Sequence, residues 1–165
     1  MADRLNDPFI EHLNQNIGIA HKVISLYFED GNEREDVLQE MMYQLWRFYP
    51  AFDGRSKFST WMYRVCLNTA LTYRRKSKKR KTDSLSADHQ EIADEISENQ
   101  EENIALLLDS MATLSGLNKA IVLLYMENMS YEEIASVLGL SRSNVSVRLV
   151  RIKKELEIQL KKTIY

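Results

Sequence analysis

The stretch SYEEIASVLGLSRSNVSVRL, residues 130–149, decides the fold of the second half of the chain. Ser130 and Glu133 stand three residues apart, the capping-box spacing in which each side chain satisfies a free backbone N–H of the other. A short helix is expected over Tyr131–Leu138, with Ile134, Ala135 and Leu138 turned inward. Gly139 sits where a left-handed residue ends a helix at little cost. Leu140 plugs the turn, and Ser141 caps a second helix. On that helix Val145, Leu149, Ile152 and Leu156 form one apolar stripe. Two helices joined by a tight Gly-containing turn match the helix-turn-helix pattern.

The opposite side of the second helix carries Ser143, Asn144, Val147 and Arg151, flanked by Ser146 and Arg148, and Ser141 and Arg142 at the helix start join them. Short side chains let a helix approach base edges closely, and Arg or Asn makes paired hydrogen bonds there. These eight residues are the candidate duplex-DNA contacts. The competing reading is a helical hairpin with a solvated face.

Working outward, the 165-residue chain suits one domain or two small ones. Only two prolines and five glycines occur, and apolar spacing is helical almost throughout, so the expected class is all-α. Cys66 is the sole cysteine, which excludes an internal disulfide, and its neighbours suggest a buried inert thiol. His12, His21 and His89 are scattered, so no metal-ligand spacing exists, and no cofactor motif is seen. No nucleophile–base pair or Gly-rich phosphate loop points to an enzyme. No signal peptide or membrane-length apolar run is evident, which makes the cytoplasm the default expectation, without membrane insertion.

A formal net charge of −2 conceals a strong separation. RRKSKKRK, residues 74–81, is basic at every position except Ser77. Thr82 to Asn118 contains no Lys or Arg, whereas RLVRIKKELEIQLKK, residues 148–162, is basic-rich again. Local basic patches, not net charge, make phosphate contacts.

In the first half, helices are expected over about Phe9–Phe28, Arg34–Phe48 and from Thr60 into the basic run, the last capped by Ser59 or Thr60. The inward residues are Leu13, Ile17, Ala20, Ile24 and Tyr27 on the first helix. On the second they are Leu38, Met41, Met42, Leu45 and Trp46, and on the third Trp61, Val65 and Cys66. Residues from about Ser77 to Gln100 are polar and weakly patterned, and bury too little to repay ordering. The expected organisation is therefore a helical domain over 1–81, a flexible acidic linker over 82–102, and a second helical domain over 103–165.

Aromatic residues crowd one loop and the start of the basic helix: Tyr43, Trp46, Phe48, Tyr49, Phe52, Phe58, Trp61, Tyr63 and Tyr73. Packing is the ordinary role for Trp46, Phe58 and Trp61. Yet unpaired bases need stacking surfaces or a pocket beside cationic groups. Arg64, Asn68, Thr72 and Arg75 form a polar stripe that runs into that cluster. One duplex reader and one candidate single-strand reader on a tether suggest recognition at two spaced sites.

These residues carry a resemblance. REDVLQEMMYQLWRFYPAFDGRSKFSTWMYRVCLNTALTYRR, residues 34–75, resembles region 2 of a bacterial sigma factor. LNKAIVLLYMENMSYEEIASVLGLSRSNVSVRLVRIKKEL, residues 117–156, resembles region 4. A short chain with only these two regions is similar to the extracytoplasmic-function class. The resemblance implies that the protein binds core RNA polymerase and that region 4 reads the −35 element as duplex. It further implies that region 2 helps melt the −10 element and captures a flipped base in the loop before its last helix. That loop corresponds to Phe52, Asp53, Gly54, Arg55, Ser56, Lys57, Phe58 and Ser59, followed by the stripe Arg64, Asn68, Thr72 and Arg75. Asp36, Gln39 and Glu40 match the DxxQE motif, whose helix docks on the clamp helices of the largest polymerase subunit. Region 4 docks on the flap of the second-largest subunit. The linker threads toward the RNA exit path, where an acidic chain can mimic RNA, although acidic linkers also serve plain solubility. Many relatives are held by an anti-sigma factor, often membrane-anchored, and the resemblance admits such a partner here.

The chain departs from the family pattern in places. Thr72 sits where Asp is frequent, Leu114-Ser115-Gly116 where Leu-Pro is common, and Ser146-Val147 where a basic residue and Ser are frequent. The last departure bears on base contacts, so the −35 preference of relatives does not carry over. The alternative function is a helix-turn-helix regulator that binds an operator without replacing the sigma subunit. A third reading is a helical adaptor that binds only protein.

Overall fold

The computed structural model describes residues 7–83 and 109–164, which are helical with no strand among them. They belong to two compact units. Of the linker expected over 82–102, Thr82 and Asp83 are instead helical, and residues 84–102 lie outside the described residues.

The first unit holds helices α1 (Pro8–Tyr27), α2 (Gly31–Phe48) and α3 (Phe58–Asp83), with a 3₁₀ turn at Tyr49–Ala51. Each early boundary has a local cause. The Phe9 N–H donates to Asp7 Oδ1 at 2.9 Å, and Pro8 fills a first-turn position that needs no donor. The N–H groups of Asn32 and Glu33 donate to Asp30 Oδ1 at 2.7 and 3.3 Å. This cap starts α2 at Gly31, three residues before the expected Arg34, and leaves only Phe28–Asp30 between the helices. Arg34 Nε donates to Phe28 O at 2.7 Å and fixes that short turn.

Val23, Val37, Met41, Leu45, Met62, Cys66 and Leu67 are fully buried at the centre of this unit. On α1, Ala20 and Ile24 are buried as expected, but Ile19 and Val23 join them, while Leu13, Ile17 and Tyr27 are only half-buried. The helix is apolar over a wide arc. It packs on α2 and also reaches α3 through an edge-to-face contact of Phe28 with Tyr73, ring centroids 5.7 Å apart. Two neighbours thus select a different stripe from the one periodicity favours. Trp46 is a clear departure: it was expected to face inward and is 64% exposed. Val37, Met41 and Leu45 already fill the buried face of α2, and Trp46 lies on the opposite side. Burial pushes the Cys66 thiol up to about 12, so it stays protonated and unreactive.

The second half of the chain contains helical residues 109–112, then α4 (Gly116–Met126), α5 (Tyr131–Leu138) and α6 (Arg142–Ile164). The Asn118 N–H donates to Ser115 Oγ at 3.2 Å and caps α4. Asn128, with φ +60°, turns the chain after α4, as an Asn can where a left-handed residue is needed. The capping box at the start of α5 forms in both directions. The Ser130 N–H donates to Glu133 Oε2 at 2.8 Å, and the Glu133 N–H to Ser130 Oγ at 3.2 Å. Gly139 has φ +68°, and the Leu140 N–H closes the turn on Ala135 O at 2.9 Å. The Asn144 N–H donates to Ser141 Oγ at 3.1 Å and caps α6. Val145, Leu149 and Ile152 are buried with Ile121, Leu124 and Ile134. Leu138 and Leu156 are half-buried.

Candidate functional site

The solvent face of α6 begins at its cap. Ser141, Arg142, Ser143, Asn144, Val147 and Arg151 are exposed, while Ser146 and Arg148 are half-buried. An open concavity is lined by Ser141, Ser143, Asn144, Val147, Arg148 and Arg151, with Asn118 contributed by α4. All eight candidate duplex contacts therefore lie on the first three turns of one helix, and all but Arg142 and Ser146 line the concavity. Arg142 turns back to α5, where it pairs with Glu132 and lies 6.0 Å from the Tyr131 ring centroid. The Glu132 carboxyl is held below its usual range, first by a backbone hydrogen bond and then by Arg142.

Arg148 is positioned from two sides. Its Nε donates to Asn144 Oδ1 at 2.7 Å, and its Nη1 to Asn118 Oδ1 at 3.0 Å. The guanidinium keeps further N–H donors, so a planar fork stays available in a fixed orientation. Asn118 was not anticipated from sequence. It lies 30 residues away, and no local pattern links an Asn near one helix start to an Arg on another.

In the first unit the loop between the 3₁₀ turn and α3 is held closed at its base by aromatic rings. Phe52 and Phe58 meet edge-to-face with centroids 5.7 Å apart, and Trp61 lies 5.3 Å from each. Tyr49 joins at 6.2 Å from Phe52, and His12 stacks on Phe58 at 4.9 Å. Phe52, Phe58 and Ser59 are half-buried, whereas Asp53, Gly54, Arg55, Ser56 and Lys57 are exposed. The loop turns at Gly54, φ +74°, and at an Asp53 cap in which the Arg55 N–H donates to Asp53 Oδ1 at 3.0 Å. Packing of Phe58 on Trp61, an i,i+3 pair, carries α3 back to Phe58. Ser59 and Thr60 thus lie inside the first turn and are not its caps, as had been expected.

Beyond this loop Arg64, Asn68, Thr72 and Arg75 are all exposed along one side of α3. Arg75 Nη2 reaches Thr72 Oγ1 at 3.4 Å. Arg74 lies 5.2 Å from the Tyr27 ring centroid, which ties the basic run to α1 at its start. Lys76, Lys78, Lys79 and Arg80 continue the helix as exposed cations.

A third surface lies on α2. Asp36, Gln39 and Glu40 are exposed opposite the buried Val37, Met41 and Leu45. At about 100° per residue, Tyr43 and Trp46 fall on that same outward face. They are 50% and 64% exposed, with ring centroids 6.3 Å apart. Two exposed aromatics on one face are of the kind enriched at protein-binding surfaces, and the acidic groups beside them suit a polar rim. Among the described residues no group of three or more His, Cys, Asp or Glu side chains could hold a metal ion, and no helix is long and apolar enough to cross a membrane.

Residues 9–80 match Sigma-70 region 2, and residues 104–156 match Sigma-70, region 4. This chain belongs to the sigma-70 family. Its relatives include the ECF RNA polymerase sigma-E factor of Escherichia coli strain K12, 27% identical over 152 residues that span 83% of this chain and 80% of that protein. The RNA polymerase sigma-H factor of Pseudomonas aeruginosa PAO1 is 29% identical over 153 residues, spanning 83% and 79%. Among solved structures, the sigma factor RpoE in complex with the anti-sigma factor NepR from Bartonella quintana matches with a TM-score of 0.80. That match covers 93% of this chain and 96% of the other at 18% identity. CnrH in complex with the cytosolic domain of CnrY matches with a TM-score of 0.65 over 93% and 88% of the two chains, at 20% identity. With its region 2 and region 4 matches and its sigma-E relatives, the chain falls in the extracytoplasmic-function class of sigma-70 factors. Region 2 carries α1–α3 with the stapled loop, and region 4 carries α4–α6 with the helix-turn-helix.

Proposed function

We propose that this sigma-70 factor binds core RNA polymerase and directs promoter-specific initiation, touching DNA at two places in different states. The observation that carries the reading is the pairing, in one chain, of a region 2 match at 9–80 with a region 4 match at 104–156. An operator-binding regulator would need only the second.

In this reading residues 1–81, 82–102 and 103–165 are the −10 domain, the linker and the −35 domain. The α6 face from Ser141 to Arg151 enters the major groove of the −35 duplex, and Arg148 offers its remaining donors to a base edge or phosphate. The loop Asp53–Lys57 receives a base flipped from the −10 element. Phe52, Phe58 and Trp61 hold the loop's two ends together, which removes ordering cost from capture. Arg64, Asn68, Thr72 and Arg75 then follow the opened strand, with the basic end of α3 on phosphates. Asp36, Gln39 and Glu40 dock α2 on the clamp helices of the largest subunit, and region 4 seats on the flap of the second-largest. The chain works in the cytoplasm as a specificity subunit, and the polymerase supplies all catalysis. One structural relative is bound to an anti-sigma factor and the other to the cytosolic domain of CnrY, and an anti-sigma factor is the corresponding partner proposed here.

Transcription with purified core polymerase tests this. Initiation at a defined promoter that depends on adding the chain, with no other sigma factor present, is the expected result. An operator-binding regulator would give no transcript in that mixture.

A further inference from the structure

Val147 stands out on the reading face of α6. It is 50% exposed, on the side away from the buried Val145, Leu149 and Ile152. Its neighbours one turn away are Ser143, Asn144 and Arg151, and it lines the same concavity as they do. Arg148, the adjacent cation, is held by Asn144 and Asn118. The short polar side chains around Val147 leave its two methyl groups as an apolar projection inside a polar surface. Val150 is also exposed, but it does not line the concavity.

A major groove offers one apolar group on its base edges, the 5-methyl of thymine. Every other edge presents donors or acceptors that a valine would leave unpaired. We propose that Val147 reads the 5-methyl group of one thymine in the −35 element, and so sets this chain's −35 preference at that position. The inference rests on the reading of α6 as the duplex contact and adds the base class it selects. Burying one methyl group against valine corresponds to roughly a fourfold affinity difference.

The test uses holoenzyme assembled from core polymerase and the full chain. The preferred −35 sequence is first selected from a randomised library. Each thymine in it is then replaced in turn by deoxyuridine, which keeps pairing and charge and removes only the methyl group. Promoter affinity is expected to fall roughly fourfold at one thymine for the wild-type chain. With Val147→Ala that position is expected to become indifferent to the methyl group, while Val150→Ala keeps the sensitivity. A selected −35 element without thymine, or a methyl effect that survives Val147→Ala unchanged, overturns the proposal while leaving sigma function intact. Failure of the holoenzyme to select any −35 sequence overturns the duplex-reading assignment of α6 and this proposal with it.

Discussion

Arg148 and Asn118, on different helices of region 4, are joined by a 3.0 Å hydrogen bond from Nη1 to Oδ1. The contact ties the reading helix to α4, and it fixes a cation that would otherwise sweep a wide arc. An arginine positioned in advance loses less entropy on binding than a free one.

Arg148→Ala is therefore expected to weaken promoter binding by about 1–3 kcal/mol, as is Arg151→Ala. Asn118→Ala keeps the α4 cap, because the cap uses its backbone N–H. It should leave thermal stability near wild type and cost promoter affinity a smaller amount, under about 1.5 kcal/mol. Holoenzyme titrations on a labelled promoter measure all three. Unchanged affinity for both arginine variants would contradict the assigned face.

The outward face of α2 yields a second test. Asp36→Arg combined with Gln39→Ala should impair assembly with core polymerase while the helix content stays the same. Trp46→Ala should also weaken assembly, by at least about 1 kcal/mol, since a large exposed aromatic beside charged docking groups is a typical binding anchor. Its 64% exposure makes a loss through unfolding a poor rival explanation. Circular dichroism and core-binding fluorescence together decide the matter. Normal assembly by the double variant would remove α2 as the docking helix.

The stapled loop separates support from capture. Phe52→Ala removes contacts with Tyr49, Phe58 and Trp61, and should cost about 2 kcal/mol of stability. Arg55→Ala and Lys57→Ala touch exposed residues and should leave the melting temperature unchanged. Yet they should slow open-complex formation if the loop holds a flipped base. Differential scanning calorimetry and the rate of open-complex formation distinguish the two effects.

Two substitutions probe the turn that sets the α5–α6 geometry. Ser130→Ala breaks one arm of the capping box and should cost about 1 kcal/mol. Gly139→Ala meets no atom within 4 Å, but its φ of +68° places a Cβ in a strained backbone region, at about 1–2 kcal/mol. Denaturant unfolding checks both, and a stabilised Gly139→Ala would contradict the strain argument.

The helix-turn-helix was legible because its signals are local. Ser130, Glu133, Gly139 and Ser141 each act within a few residues, and each makes the contact its type and spacing imply. Legibility failed where partners are distant or where one helix meets two neighbours. Trp46 looked like core by composition, yet three smaller residues had already filled the buried face of α2. Ile19 and Val23 are buried on α1, whose end meets α3 through Phe28 and Tyr73, a contact that no window of α1 alone reveals. Helix α3 starts at Phe58, ahead of the hydroxyl residues Ser59 and Thr60, because Phe58 packs on Trp61 one turn on and on Phe52 across the loop. Asn118 is illegible for the same reason, because its partner Arg148 is 30 residues away.

Permanganate footprinting of a promoter with core polymerase, with and without the chain, bears most directly on the two-state contact. Thymines in the −10 element should become reactive only when both proteins are present, while the −35 element stays double-stranded and protected from nuclease. Protection at −35 by the chain with no opening at −10, in the presence of active core polymerase, would contradict the account.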